Sequence, residues 1–211
     1  MNKVFILNRP KKKKKKRCGC GGFTLIELLI VIVIIGILAL IIVMVLNPAE
    51  MLKKGRDSQR LSDLTTLKSA ISLYLADVSS PSMGTAGNVY CSLPTTATDC
   101  GAGGACDTCD DTPYPVDGTG WIPINLTNIS TGTPISNLPI DPVNSDDGIA
   151  AGTASATDYY YEYAVDANNF FEIDCALEST YYTSTNDVRT KDGGDDPNRY
   201  EVGTDSGLDL L

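Results

Sequence analysis

The sequence predicts an α+β fold: a long N-terminal helix, apolar in its first half and amphipathic in its second, with a small β structure packed on the second half. Three observations carry that expectation. Residues 23–46 form a 24-residue run with a single charge, Glu27. Beyond Pro48 the apolar residues switch to three- and four-residue spacing, and residues 159–177 alternate as strands do.

As a helix, the run FTLIELLIVIVIIGILALIIVMVL spans roughly 36 Å at about 1.5 Å per residue, enough to cross the ~30 Å hydrocarbon core of a bilayer with some tilt. A secretory signal peptide has a shorter apolar region, about 7–15 residues, ending at small residues. Here the run passes into Asn47-Pro48-Ala49 with no A-x-A pattern, so a membrane anchor is the better reading. All nine charges in residues 1–22 are basic: Lys3, Arg9, Lys11 to Lys16 and Arg17. Their position before the apolar run predicts a single-pass topology in the cytoplasmic membrane, with the N-terminus inside. A nuclear or nucleic-acid-binding role for the hexalysine run is the weaker reading there.

In residues 47–78, Leu61, Leu64, Leu67, Ile71, Tyr74, Leu75 and Val78 recur at helical spacing. Lys53, Lys54, Arg56, Asp57, Arg60, Asp63 and Lys68 fall largely between them. This predicts an amphipathic helix, with a kink or short break at Pro48. Residues 79–144, rich in Gly, Pro, Thr and Asp, read as a long irregular connection. Next, Tyr159, Tyr161, Tyr163 and Val165 share one face, with Tyr160 and Glu162 opposite. After a turn at Asp166-Ala167-Asn168-Asn169, Phe171, Ile173, Cys175 and Leu177 share a face, with Glu172 and Asp174 opposite. That is a hairpin with one buried face, suited to covering the helix stripe. Residues 190–211 are Gly/Asp-rich and predict a loop or short strand.

Of the 17 Lys/Arg only eight follow Gly22, against all 26 Asp/Glu, a formal charge of −18. An acidic head of residues 79–211 repels phosphate backbones, which argues against nucleic-acid binding. With no histidine in the chain, Ser-His-Asp and Cys-His machinery is absent in its usual form, and there is no P-loop or dinucleotide fingerprint. No carboxylate pair stands out for acid/base work, and no enzyme is expected.

Seven cysteines are present. Cys18 and Cys20 precede the apolar run, while Cys91, Cys100, Cys106 and Cys109 crowd into nineteen residues. The crowding predicts a disulfide-stapled loop in an oxidising compartment, with Cys175 a buried free thiol on its strand. Cys106-Asp107-Thr108-Cys109 is also a C-x-x-C, but zinc would need all four thiolates to converge. Asn125-Leu126-Thr127 and Asn128-Ile129-Ser130 fit the glycosylation sequon, a common chance match.

The boundary Gly21-Gly22-Phe23-Thr24-Leu25-Ile26-Glu27-Leu28-Leu29-Ile30 resembles the class III signal of type IV pilins and type II secretion pseudopilins: a basic leader ending in Gly, then an aromatic, with Glu as the fifth mature residue. The resemblance implies cleavage of residues 1–22 by a prepilin peptidase between Gly22 and Phe23, and N-methylation of Phe23. It also implies the lollipop fold of that family, a long helix packed on a small antiparallel sheet. In such proteins the Glu is thought to pair with the N-terminal amine of a neighbouring subunit, which assigns Glu27 to assembly. Implied partners are other pilin subunits, as homo- or hetero-oligomeric filaments, and an inner-membrane assembly platform. Residues 120–144, the Tyr-rich hairpin and residues 172–178 are similar to the C-terminal half of type II secretion-like pilins, where a DP turn precedes a YxY strand.

Two acidic, Gly-containing stretches invite calcium, which takes six to eight oxygens. One is residues 141–148; the other contains Asp192, Asp195 and Asp196 and continues to Glu201. Resemblance to calcium-ordered loops of major pseudopilins favours the second, and solvated acidic turns are the competing reading. The functional expectation is therefore a filament subunit, displayed outside the cell or in the periplasm. Two other readings stand beside it: a minor pilin or adhesin binding through residues 79–144, and a plain membrane-anchored domain.

Overall fold

The computed structural model describes residues 22–95, 100, 106–144 and 159–211. The basic leader through Gly21, with Cys18 and Cys20, lies outside the described residues, as do residues 145–148 of the first acidic stretch. The chain divides into two units, Met1–Leu46 and Asn47–Leu211.

The first unit contributes helix α1 (Leu25–Leu46), 22 residues with Glu27 as its one charge and no buried side chain. At about 1.5 Å per residue it is roughly 33 Å long. It is long and apolar enough to cross a membrane.

The second unit opens with α2 (Pro48–Asp77). The break expected at Pro48 falls one residue earlier. Asn47 takes a left-handed conformation (φ 41°, ψ 73°), its side chain accepts from the Glu50 amide, and Pro48 stands in the first turn. There its missing N–H removes no helical hydrogen bond. Leu64, Leu67, Ile71 and Tyr74 are buried along one stripe, as the spacing requires.

Five strands follow: β1 (Val89–Cys91), β2 (Thr108–Cys109), β3 (Tyr161–Val165), β4 (Phe171–Ala176) and β5 (Arg199–Gly203). They form one sheet in the order β2-β1-β3-β4-β5. β3, β4 and β5 pair antiparallel in sequence, and β1 pairs antiparallel with β3. The sheet is mixed rather than wholly antiparallel, because two-residue β2 lies parallel to β1. The Cys91–Cys106 disulfide ties the end of β1 to the residues just before β2. The tail contributes the short strand β5.

Helix α2 packs against β4 and β5. The shared core joins its stripe to Tyr161, Tyr163, Phe171, Ile173 and Val202 of the sheet. Residues 120–144 are irregular apart from a 3₁₀ turn (Leu126–Asn128), yet they bury Trp121, Ile122, Ile124, Leu126 and Leu138 in the same core. Trp121 donates from Nε1 to the Pro139 carbonyl at 3.0 Å. Beside it Gly120 allows a close backbone approach, for an added Cβ would fall 2.3 Å from the Pro115 carbonyl oxygen.

One expectation needs correction. Every residue of β3 and β4 is buried, so the hairpin has two covered faces rather than one. Tyr160, Leu93 and the Cys91–Cys106 pair form a second apolar cluster on the outer face. Glu162, Glu172, Asp174, Arg199 and Glu201 are buried there as well. Alternation sorts side chains between faces and says nothing about what covers each face.

Candidate functional site

The sequence singles out the junction between leader and helix. Gly22, Phe23 and Thr24 are non-helical and exposed, with Phe23 89 % exposed. Thr24 and Glu27 satisfy each other's backbone. The Thr24 amide donates to Glu27 Oε2 at 2.8 Å, the Thr24 hydroxyl donates to the same oxygen at 2.7 Å, and the Glu27 amide donates to Thr24 Oγ1 at 3.3 Å. This is a capping box, which fixes where α1 starts and holds the carboxylate back toward residue 23. Thr24 was overlooked as a functional residue, although its T-x-x-E spacing was legible in the sequence.

A second constellation lies at the amphipathic helix. Asp57 and Arg60, expected on the polar face, are completely buried. Arg60 donates to Asp141 (Nη2 to Oδ1, 2.8 Å), to Asp57 (2.7 Å) and to Glu178 (2.6 Å). Asp57 accepts from the amides of Glu178 and Ser179, at 3.0 and 2.7 Å. Arg56 completes the clasp, donating to Glu178 from Nε at 2.7 Å. Hydrogen bonds from Arg56 and Arg60 overcome burial and hold the Glu178 carboxyl below its ordinary range. Residues 57, 60, 64, 67, 71 and 74 continue one helical spacing, so the signal existed, but their charge disguised it.

Asp141, from the first acidic stretch, has both oxygens on Arg60 and also accepts from the Val143 amide at 2.8 Å. It offers no open oxygen pair. In the second stretch, Asp192 accepts from Gly194 N at 3.2 Å and from Glu201 N at 3.0 Å, and Asp196 accepts from Asn198 N at 2.7 Å. Among the described residues, the one group of three Cys/Asp/Glu ligand atoms within 4.8 Å of one another is Cys91, Cys106 and Glu162, and both its cysteines are disulfide-bonded. Among the described residues, Asp192, Asp195 and Asp196 do not form such a group.

The clustered cysteines pair as Cys91–Cys106 and Cys100–Cys109. The C-x-x-C is thus divided between two disulfides and has no thiolate to give a metal. Cys175 is unpaired and buried on the core face of β4, and burial pushes its thiol up. Side chains of both sequons are hydrogen-bonded. Asn125 accepts from the Thr127 amide at 3.0 Å, and the Ser130 hydroxyl donates to Asp77 at 2.8 Å.

A family model described as the prokaryotic N-terminal methylation motif matches residues 17–43. That motif is characteristic of type IV pilins and pseudopilins. No curated protein and no solved structure matches the chain.

Replacing Arg60 with Ala leaves Asp57, Asp141 and Glu178 around an empty position. Loss of one partner from a buried ionic cluster costs about 3–5 kcal/mol. Denaturant unfolding of the full chain in detergent micelles should show that loss, and a variant within about 0.5 kcal/mol of the parent would remove the clasp from the account.

Proposed function

We propose that this chain is the precursor of a structural subunit in a type IV pilus-like or type II secretion-like filament. The observation that carries the reading is the methylation motif at residues 17–43, set on a helix whose one charge, Glu27, lies in its first turn. A prepilin peptidase removes residues 1–22, and Phe23 becomes the N-methylated N-terminus. Copies of α1 then leave the bilayer and bundle, while the acidic unit faces outward. The partners in this reading are further pilin subunits and the inner-membrane assembly platform.

The physics of Glu27 supports it. A carboxylate within an apolar layer costs on the order of 2.5–3.5 kcal/mol, so it needs a positive partner. Cleavage at Gly22 creates one, because a free α-amine has a pKa near ~7.7–8.0 and is mostly cationic at neutral pH. The capping box already turns the carboxylate toward residue 23. A neighbour's Phe23 amine approaching that carboxylate neutralises both charges and sets the axial register of the bundle.

The test is incorporation. With a prepilin peptidase and assembly machinery present, the chain should appear in sheared filament fractions. Glu27→Ala should be cleaved and membrane-inserted, yet fall by about tenfold or more in those fractions, since each neighbouring amine then lacks its partner. Equal incorporation of Glu27→Ala contradicts the pairing.

A further inference from the structure

The buried stripe of α2 runs out before the helix does. Lys53 stands four residues before Asp57, in the same spacing that buries Asp57, Arg60, Leu64 and Leu67, yet it is exposed. Met51, Leu52, Lys53 and Lys54 make one full turn of the helix. All four are exposed, Met51 by 62 % and Leu52 by 66 %. Tyr181, half-buried, approaches from the segment after β4. Its ring centroid lies 3.4 Å from Lys54 Nζ and 4.9 Å from that of Tyr182.

These lysines stand out on an acidic unit. Of the eight Lys/Arg that follow Gly22, Arg60 and Arg199 are buried. Arg56 and Arg189 are paired with Glu178 and Asp187, and Lys191 donates to Asn186. Lys68 stands 14 residues beyond Lys54 on α2, roughly 21 Å at about 1.5 Å per residue. Among the described residues no carboxylate forms an ion pair with Lys53 or Lys54. The acids on either side are engaged: Glu50 accepts from the Thr180 amide, and Asp57 from the amides of Glu178 and Ser179. Two cations beside two exposed apolar side chains and a tyrosine are the composition of a membrane–water interface. There tyrosine rings settle at headgroup level, and lysine stems lie along apolar surface with the ammonium in the polar layer. Met51 follows Leu46, the last residue of α1, by five residues, so chain length alone keeps the turn within about 18 Å of the apolar helix. A neighbouring copy covers one side of a helix, whereas a lipid surface meets it on every side, which suits a turn exposed all round.

We infer that residues 51–54, with Tyr181, form a collar that binds the headgroups of anionic phospholipids on the outer face of the membrane. The inference rests on the reading of α1 as a membrane span with the second unit outside. Lys53 and Lys54 meet the lipid phosphates, and Met51 and Leu52 enter the boundary between headgroups and acyl chains. The rest of the acidic unit is repelled by the same surface, so the collar is where the unit touches the bilayer.

The experiment places the full chain in lipid nanodiscs of phosphatidylcholine, with and without added phosphatidylglycerol. It follows oxidation of Met51 to the sulfoxide by hydrogen peroxide, an uncharged reagent, through peptide masses. Met44 lies within α1 and Met83 is buried in the core, so each is an internal reference. Phosphatidylglycerol should slow Met51 by about fivefold or more, the scale of one lysine at an anionic surface. The double variant Lys53→Gln/Lys54→Gln should lose that difference, while Met83 stays protected as in the parent. An equal Met51 rate in both discs, with Met44 protected, overturns the collar and leaves the span standing. The same slowing in the double variant also overturns it. So does protection that grows with the number of chains per disc and not with phosphatidylglycerol, since that result gives the turn to a second copy. Met44 oxidising as fast as Met51 removes the span itself, and the collar with it.

Discussion

A helix of 22 residues with no buried side chain and one charge cannot stay bare in water, and the rest of the molecule answers to that constraint. Phe23 and the isoleucines, leucines and valines of α1 are exposed all round, so no single face is available to a small core. A bilayer covers such a surface without demanding a register. Copies of the same helix cover it too, and there the polar end decides the register. In the proposed filament, Thr24 and Glu27 supply that polar end.

The second unit is held together from within. Its own helix, α2, is bound to the sheet side by apolar packing and by the buried Arg60 clasp. Packing alone leaves a helix free to slide along its axis by a turn. A guanidinium held by Asp141 and Glu178 does not allow that slide, because both lie outside α2, and Asp57 on α2 adds its own bonds from the Glu178 and Ser179 amides. The clasp thus fixes the helix, the Asp141 turn and the end of β4 in one arrangement. The disulfides secure the edge carrying β1 and β2, where few apolar residues are available.

The sequence was most legible where a single local pattern decides the structure. The apolar run and the spacing of Leu64, Leu67, Ile71 and Tyr74 placed both helices. The alternation in residues 159–177 placed β3 and β4 and named their core faces correctly. It was least legible where a partner lies far along the chain. Asp57 and Arg60 read as surface charges because their partners are 81 residues away at Asp141 and 118–122 residues away at Glu178 and Ser179. Glu172 read as solvent-facing for the same reason: its cover comes from Leu210, 38 residues later. At the junction, Glu27 was picked out by its charge. Thr24 was passed over because a hydroxyl in an apolar run looks incidental until its T-x-x-E spacing is weighed.

The central claim is that residues 1–22 are a leader and that Phe23 is the working N-terminus. The direct measurement is the intact mass and N-terminal sequence of the membrane-extracted protein, produced with and without an active prepilin peptidase. The account predicts a chain beginning at N-methylated Phe23 when the peptidase is present, and the uncut chain when it is absent. A chain that keeps its lysine-rich leader beside an active peptidase would contradict the account and leave α1 as a plain membrane anchor.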